Sequence, residues 1–229
     1  MDYKRLFAKI RSAVQIIRGQ GKASFSQVGE DRILDFLFLS LGIKHPVYLD
    51  IGTNHPVTGS NSYFFYQRGS RGVCVEPDPV LFELIKKKRP KDICINAGIG
   101  MNETSEADFY IFPISGWNTF SKEEAEYRKA NGQPYNKVIR MPLKNINTII
   151  KENFKTSPDF ISIDVEGLDF DIVRSLDFET LAPKVLVIET IRFGDSDKQE
   201  KQNTIIDFIL SKGYKVYADT FVNTIFLKN

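Results

Sequence analysis

The sequence has little that would indicate disulfide bonds, metal clusters or membrane spans. Only two of its 229 residues are cysteine, and both, Cys74 and Cys94, lie in apolar runs without the spacing of a metal or redox motif. We interpret them as reduced core thiols of a cytoplasmic protein. No apolar run approaches the ~20 residues of a membrane span, and the N-terminus lacks the apolar core of a signal peptide. The net charge of +2 gives no indication of a nucleic-acid partner.

The composition fits one α/β domain over residues 23–229, preceded by a separate helix. Hydrophobic residues make up 42% of the chain, which is enough for a sizeable core. Met1–Lys22 combines apolar residues at helical spacing with a basic opposite face, and this pattern predicts an amphipathic helix. The basic face either is solvated or docks on an anionic membrane surface or a partner. The apolar positions are Leu6, Ile10, Val14 and Ile17.

Acidic residues recur at the ends of the predicted strands. A short apolar strand ends in Asp50 and turns at Gly52. A second strand, Gly72–Glu76, ends in an acid roughly 25 residues later, about the length of one βαβ unit. Later strands end in Asp164 and Glu189. Because ligands of open α/β sheets sit beyond the carboxyl ends of the strands, these acids indicate one binding crevice. An acid after the second strand is well suited to accept hydrogen bonds from ribose hydroxyls.

The rest of the chain alternates short helices and strands. Within Ser24–Leu41 we expect a polar entry, SFSQVGED, followed by a helix. Further helices are expected over Tyr63–Tyr66, Pro79–Lys88, Ile146–Phe154, Leu168–Ser175 and Lys198–Ser211, and strands over Asp92–Asn96, Ala107–Pro113, Val138–Pro142, Asp159–Asp164 and Lys184–Glu189. Tyr214–Ala218 and Val222–Leu227 are closely spaced strands and are expected to pair antiparallel. The polar stretch Ile114–Pro134 is predicted to be an irregular lid or substrate loop.

Four segments resemble one known family. They are GEDRIL, YLDIGTNHPVTGSNSYFFYQRGSRGVCVEPDP, RPKDICINAGIG and DFISIDVEGLDFDIVRSLDF, and the likeness spans roughly Ser26–Leu227. These segments resemble the FkbM family of S-adenosylmethionine-dependent methyltransferases. The resemblance implies a Rossmann-like class I methyltransferase fold, a seven-stranded, mostly parallel sheet with an antiparallel last strand and helices on both faces. It also implies O-methylation of a hydroxyl, commonly on a sugar or a polyketide, and we expect a sugar or a glycan precursor as the acceptor.

The resemblance also assigns roles to single positions. The predicted cofactor contacts are Asp50, Gly52 and Asn54 toward the methionine part, Glu76 toward the ribose, Asn96 and Ala97 beside the adenine, Asp164 near the methyl group, and Gln27 in the G-E-D segment. Helix capping is the alternative for Gln27 with its neighbouring acids and for Glu76, and a plain strand end is the alternative for Asn96. Asn61 and Ser62 match a family pair and either line the methyl-transfer pocket or cap a helix.

Methyl transfer to a hydroxyl needs a base, because a hydroxyl is a poor nucleophile near neutral pH. His55 is the first candidate, since an imidazole titrates near neutrality, and the alternative is that His55 only shapes its turn. Asp164, Glu166 and Glu189 are the other candidate bases. Together these three acids also suit a divalent cation, although a reaction without metal is favoured. Trp117, with Tyr127 and Tyr135, either stacks on a sugar or anchors its own loop.

Two other functions compete with methyl transfer. An NAD(P)-linked oxidoreductase would use a similar sheet, but the G-x-G-x-x-G motif is missing after the first strand. A non-catalytic scaffold with a cofactor fold, docked through the basic helix, is the third reading. Binding of S-adenosylhomocysteine or of NAD separates the first two functions, and methyl transfer to a purified acceptor separates the first from the third.

Overall fold

The computed structural model describes residues 23–101, 105–165, 167–193 and 199–229. The predicted helix over Met1–Lys22 and the acid Glu166 lie outside the described residues. None of the helices in the described ranges is both long and apolar enough to cross a membrane.

The strands of the described residues form one large sheet and two small ones. In chain order they are β1 (Tyr48–Ile51), β2 (Gly72–Val75), β3 (Ile93–Ile95), β4 (Gly98–Ile99), β5 (Glu106–Ile111), β6 (Lys137–Lys144), β7 (Phe160–Ile163), β8 (Val185–Glu189), β9 (Ile191–Phe193), β10 (Gln199–Lys201), β11 (Tyr214–Asp219) and β12 (Asn223–Lys228). The large sheet has seven strands in the order β11-β12-β8-β7-β1-β2-β3 within the described part of the chain. Its pairs are parallel except those of β12, which runs antiparallel to β8 and β11. This topology confirms the predicted fold class.

Helices connect most of these strands. They are α1 (Glu30–Ser40), α2 (Tyr63–Gln67), α3 (Pro79–Lys88), α4 (Lys122–Ala130), α5 (Ile146–Asn153), α6 (Asp169–Ser175) and α7 (Asn203–Ser211), with a 3-10 turn at Ser115–Trp117. Asp78 caps α3 by accepting hydrogen bonds from the N–H groups of Val80 and Leu81, and Pro79 occupies the first helical position.

Two predictions of local structure were wrong. The stretch Ile114–Pro134 is not irregular, because it contains helix α4. Ser121 caps this helix by accepting a hydrogen bond from the N–H of Glu124. Within the predicted helix over Lys198–Ser211, residues Gln199–Lys201 instead form β10, which pairs antiparallel with β9. The helix therefore begins only at Asn203.

Alternation along β1 separates two cores. Leu49 and Ile51 belong to the core that includes α5, α6 and α7, whereas Tyr48 belongs to the core that includes α1 and α2. Since side chains of a strand alternate between its two faces, Asp50 lies on the same face as Tyr48. The carboxylate of Asp50 consequently points into the layer under α2, away from the core on the other face.

An insertion between β3 and α5 covers one end of the sheet. It comprises the small sheet β4-β6-β5 and helix α4. Its Phe120 ring packs directly on Gly98, where an added Cβ would lie 2.3 Å from the ring. Ser115 and Gly116 in this insertion reach the cavity described next.

Candidate functional site

A cavity of about 500 Å³ opens at the carboxyl edge of the large sheet. It lies where β1 and β7 are adjacent and the chain order of the strands reverses, the usual ligand position in such sheets. The structure brings together most of the predicted site residues in the wall of this cavity, namely Gln27, Gly52, Asn54, His55, Glu76, Ala97 and Asp164. Asp50 and Asn96 are absent from the wall.

Gly52 allows the first loop to press against the neighbouring strands. Its N–H donates to the carbonyl of Val75 at 3.0 Å, and its φ of 76° is in the left-handed region. An added Cβ would lie only 1.8 Å from the carbonyl oxygen of Asp164. The loop therefore needs glycine at this position both for its backbone conformation and for space.

Glu76 is a buried carboxylate that is already engaged by the backbone. It is 4% exposed and accepts hydrogen bonds from the N–H groups of Asn54, at 2.7 Å, and of Asp78, at 2.8 Å. Burial raises the pKa of Glu76 to about 7, against the opposing effect of those two N–H groups. An ionised carboxylate has about four acceptor positions, so this one retains capacity for two ligand hydroxyls.

Asn96 does not line the cavity but holds the backbone of two residues that do. Its amide nitrogen donates to the carbonyl oxygens of Glu76, at 2.8 Å, and of Pro77, at 3.0 Å. The amide nitrogen of Asn96 is therefore engaged by the protein itself, and its predicted contact with the cofactor stays a prediction. The next residue, Ala97, lines the cavity as expected.

Asp50 is absent from the cavity wall, and its predicted contact with the cofactor stays a prediction. Its carboxylate accepts a hydrogen bond from the Ser62 hydroxyl and lies 3.7 Å from the guanidinium of Arg89. Arg89 is fully buried, and it also donates to Ser62 at 2.8 Å and to Asp92 at 2.8 Å. Burial raises the pKa of Asp50, and the charge of Arg89 opposes this rise. This network fixes the strand from which the loop departs.

Asn61 and Ser62 belong to the same buried layer. The Asn61 amide donates to the hydroxyl of Ser162 at 3.1 Å, and both Asn61 and Ser62 are buried away from the cavity wall. The structure thus does not place this pair in a methyl-transfer pocket. Neither residue caps the first turn of α2 with its side chain; the Ser60 hydroxyl instead accepts from the N–H of Tyr63.

Asp164, directly after β7, is another acid of the cavity wall. Its Oδ2 accepts a hydrogen bond from the amide of Gln27 at 3.2 Å. Burial and the nearby charges of Asp169 and Asp50 raise the pKa of Asp164 to about 7. Asp164 therefore exchanges a proton near neutral pH, as a general base for a hydroxyl requires.

The segment that carries Gln27 is held by two buried acids. Asp31 accepts hydrogen bonds from the Ser24 hydroxyl and from the N–H of Phe25, each at 2.7 Å. Glu30 accepts from the N–H of Val28 at 3.0 Å. Glu30 and Asp31 thus position the loop, and Gln27 is the member of this group that reaches the cavity.

His55 lies at the exposed rim of the cavity and shapes its turn. Its Nδ1 accepts hydrogen bonds from the N–H groups of Val57, at 3.2 Å, and Thr58, at 3.0 Å. A neutral ring in this arrangement carries its proton on Nε2, so neither nitrogen is free to accept a proton from a substrate. These hydrogen bonds favour the turn-shaping alternative, and a catalytic role for His55 stays a prediction.

The insertion contributes site residues that the sequence did not reveal. The Ser115 hydroxyl donates to Oδ1 of Asn54 at 3.0 Å, and the Asn118 amide donates to Asp78 at 3.0 Å. Ser115 and Asn118 line the cavity together with Phe120. No motif marks these residues; the capping box at Ser121–Glu124 was the available sign that the stretch is ordered.

The aromatic residues of the insertion pack on one another. Trp117 contacts Phe112 with ring centroids 6.4 Å apart, and the Arg128 guanidinium lies 5.3 Å from the Trp117 ring. Tyr135 packs edge-on against Tyr110. These contacts correspond to the loop-anchor alternative for Trp117 and Tyr135.

A metal site is not evident in the described ranges. They contain no group of three or more His, Cys, Asp or Glu side chains placed to hold an ion. Of the three acids considered for a cation, Glu166 lies outside the described residues, and Glu189 is half-buried at the end of β8.

Comparisons with known proteins identify the family of the chain. A family model described as the methyltransferase FkbM domain matches residues 50–216. No curated protein sequence matches significantly. Solved structures that match include a TehB-like SAM-dependent methyltransferase from Corynebacterium glutamicum (13% identity, 97% of this chain and 99% of that chain covered, TM-score 0.45). They also include magnesium protoporphyrin IX methyltransferase from Synechocystis (9% identity, 100% of both chains covered, TM-score 0.48). Because the family model covers well over half of the sequence, the chain belongs to the FkbM family of S-adenosylmethionine-dependent methyltransferases.

Proposed function

We propose that the protein transfers a methyl group from S-adenosylmethionine to a hydroxyl of a sugar or of a glycan precursor. The observation that carries this proposal is Asp164, a carboxylate in the cavity wall whose pKa is raised to about 7. A sugar hydroxyl has to lose its proton as it attacks, and a base that titrates near neutrality serves this step best. The exposed polar side chains at the rim, those of Gln27, His55 and Thr58, also suit an acceptor rich in hydroxyls.

The cavity fits the cofactor that the family implies. The carboxylate of Glu76 retains acceptor capacity for the two ribose hydroxyls, and Gly52 and Asn54 of the first loop line the cavity beside it. Ala97 and Asn118 line the part of the cavity that would hold the adenine. When bound, S-adenosylmethionine supplies an electrophilic methyl group on a sulfonium.

The residues of the chain then align and deprotonate the acceptor. Asp164 accepts the proton of the attacking hydroxyl, and the hydrogen bond from Gln27 orients the carboxylate through Oδ2. The insertion covers the cofactor end through the contacts of Ser115 and Asn118. Holding the two reactants in line is a further contribution of the cavity, since methyl transfer is a displacement at one carbon.

The family assignment argues against the oxidoreductase alternative. The scaffold alternative is tested by turnover. Cytoplasmic location, and peripheral membrane contact through residues 1–22, stay predictions.

Transfer of a labelled methyl group to a panel of acceptors tests the proposal. The panel contains UDP-glucose, UDP-N-acetylglucosamine, a lipid-linked sugar and maltotriose. We expect a methyl ether on at least one sugar hydroxyl, identified by mass spectrometry. Methylation of a nitrogen or carbon acceptor only, or cofactor binding without transfer to any sugar, would contradict the proposal.

The variant Asp164→Asn tests the base. We expect kcat to fall about 10²- to 10⁴-fold, the usual contribution of a general base, with a much smaller change in the affinity for S-adenosylhomocysteine. In the wild-type protein kcat should rise with pH up to about 7 and then level off, because the ionised form of Asp164 is the active one. Asp171→Asn, at an exposed acid on α6, is the matched control and should leave kcat unchanged.

A further inference from the structure

Asp169, the first residue of α6, is a buried acid that lies behind the cavity wall. Its side chain is absent from the wall, whereas Val165 and Leu168 line it, and Asp169 is only 2% exposed. Burial raises the pKa of Asp169 to about 6, against the opposing effect of the N–H groups that donate to it. The carboxylate is therefore mostly ionised at pH 7. Because burying a charge costs free energy, its neighbours indicate what the charge is for.

The carboxylate of Asp169 holds the main chain that directly follows Asp164. Its Oδ1 accepts a hydrogen bond from the N–H of Val165 at 3.1 Å, and its Oδ2 accepts one from the N–H of Gly167 at 3.2 Å. From the other side, the N–H of Asp164 donates to the carbonyl of Ile51 at 3.2 Å. The proposed base is thus carried by a main chain that β1 and α6 fix together. An ionised carboxylate accepts through both oxygens, which a neutral amide cannot do.

Asp169 also acts on Asp164 through its charge. Burial is the main cause of the raised pKa of Asp164, and the charges of acids from three elements add to it. In order of their effect, these acids are Asp169 of α6, Asp50 of β1 and Glu30 of α1. The charge of Asp50 is offset by the guanidinium of Arg89, 3.7 Å away. In the described part of the chain the partners of Asp169 are neutral N–H groups, so its charge acts on Asp164 with little compensation.

We propose that Asp169 is a positioning residue for methyl transfer, which fixes the main chain behind Asp164 and whose negative charge strengthens Asp164 as a base. This inference rests on the proposed function and adds what makes an aspartate basic enough for a sugar hydroxyl. A like charge nearby disfavours the ionised form of a carboxyl group, so the carboxylate takes up a proton more readily. Since Asp169 lies behind the wall, it acts only through Asp164.

Titration of the Asp164 carboxyl in the ligand-free protein tests the effect of the charge. Carbon-13 NMR follows the side-chain carboxyl signals from about pH 4 to about pH 9, and the signal missing in Asp164→Asn belongs to Asp164. We expect a midpoint of about 7 in the wild-type protein and a midpoint about one pH unit lower in Asp169→Asn, which lacks the like charge. Asp171→Asn, at the exposed acid two residues later on α6, is the matched control and should leave the midpoint unchanged.

The pH dependence of kcat gives a second readout that a merely structural role would not move. It is measured with the sugar of the panel above that the wild-type protein methylates best. A midpoint of about 7 makes kcat at pH 6 about one tenth of kcat at pH 8. In Asp169→Asn this ratio should rise to about one half, while kcat at pH 8 falls because the base is weaker. Asp169→Glu keeps the charge and both acceptor oxygens, so its ratio should stay near one tenth.

The outcomes distinguish this inference from the proposed function. If folded Asp169→Asn has the midpoint and the ratio of the wild-type protein, the inference is refuted and the proposed function stands. A shift in Asp169→Glu as large as that in Asp169→Asn would also refute it, because the charge would then not be the cause. If thermal unfolding shows that Asp169→Asn does not fold, Asp169→Ser, which also lacks the charge, takes its place. If the wild-type protein methylates no sugar, the proposed function falls, and the NMR midpoints alone decide whether Asp169 acts on Asp164.

Discussion

Replacement of Glu76 by glutamine should weaken cofactor binding without unfolding the protein. The carboxylate of Glu76 accepts one hydrogen bond from the N–H of Asn54 and one from the N–H of Asp78, through different oxygens. A glutamine has one acceptor oxygen, so its NH₂ group would have to face one of these two donors. The variant consequently loses one backbone bond and its charge, and with them the strong acceptor for the ribose hydroxyls.

The magnitude follows from the charge of the lost acceptor. Hydrogen bonds to charged groups contribute roughly 1.5–3 kcal/mol, about twice as much as bonds between neutral groups. The loss of one such bond in the complex corresponds to a rise in Kd of roughly 10- to 150-fold. Isothermal titration with S-adenosylhomocysteine measures this change directly. Glu83→Gln, which changes an exposed acid on α3, the helix that follows β2, is the matched control.

The pH dependence gives the same test a second readout. Burial raises the pKa of Glu76 to about 7 in the ligand-free protein, and ribose hydroxyls bind the ionised form. The affinity for S-adenosylhomocysteine should therefore be highest above pH 7 and should fall by up to about tenfold per pH unit below pH 7. Glu76→Gln should remove the share of this dependence that comes from Glu76. An unchanged Kd in Glu76→Gln at pH 8, where Glu76 is ionised in the wild-type protein, would refute the assignment of the ribose to Glu76.

Three other substitutions test the supports of the site. Gly52→Ala should lower the free energy of unfolding by about 1–3 kcal/mol and abolish S-adenosylhomocysteine binding, because the added Cβ overlaps the carbonyl of Asp164; Gly132→Ala, at a positive φ with open space around it, should bind normally. Arg89→Met should destabilise the fold by about 3–5 kcal/mol in urea unfolding, since it leaves buried acids without their cation, and a loss under 1 kcal/mol would contradict this role. His55→Ala should reduce kcat less than about tenfold, and a loss of a hundredfold or more would make His55 the base after all.

The sequence predicted the fold well because its signals are local and repeated. An apolar run that ends in an acid predicts a strand and also the edge of the sheet at which the acid lies, as Glu76 and Asp164 show. The antiparallel final pair followed from the short connection between its strands. Short strands such as β10 depend on a partner and carry no signal of their own, so β10 was predicted as the start of a helix.

Side-chain direction was harder to predict than position. The period of two along β1 turns Asp50 toward the layer under α2, and its partner Arg89 is distant in sequence. Nothing near Asp50 in the sequence indicates that its carboxylate will pair with a buried guanidinium. The hydrogen bonds of His55 were also not predictable from the sequence, because the N–H groups two and three residues later occupy its Nδ1. The hydrogen bond between Thr220 and Glu30 likewise joins the two ends of the domain and has no sequence signature.

The most direct test of the whole account is a crystal structure of the protein with S-adenosylhomocysteine. We predict both ribose hydroxyls within hydrogen-bond distance of Glu76, the adenine between Ala97 and Asn118, and the sulfur facing Asp164. Cofactor bound elsewhere, or bound in this cavity with its sulfur directed away from Asp164, would contradict the proposed site and its mechanism.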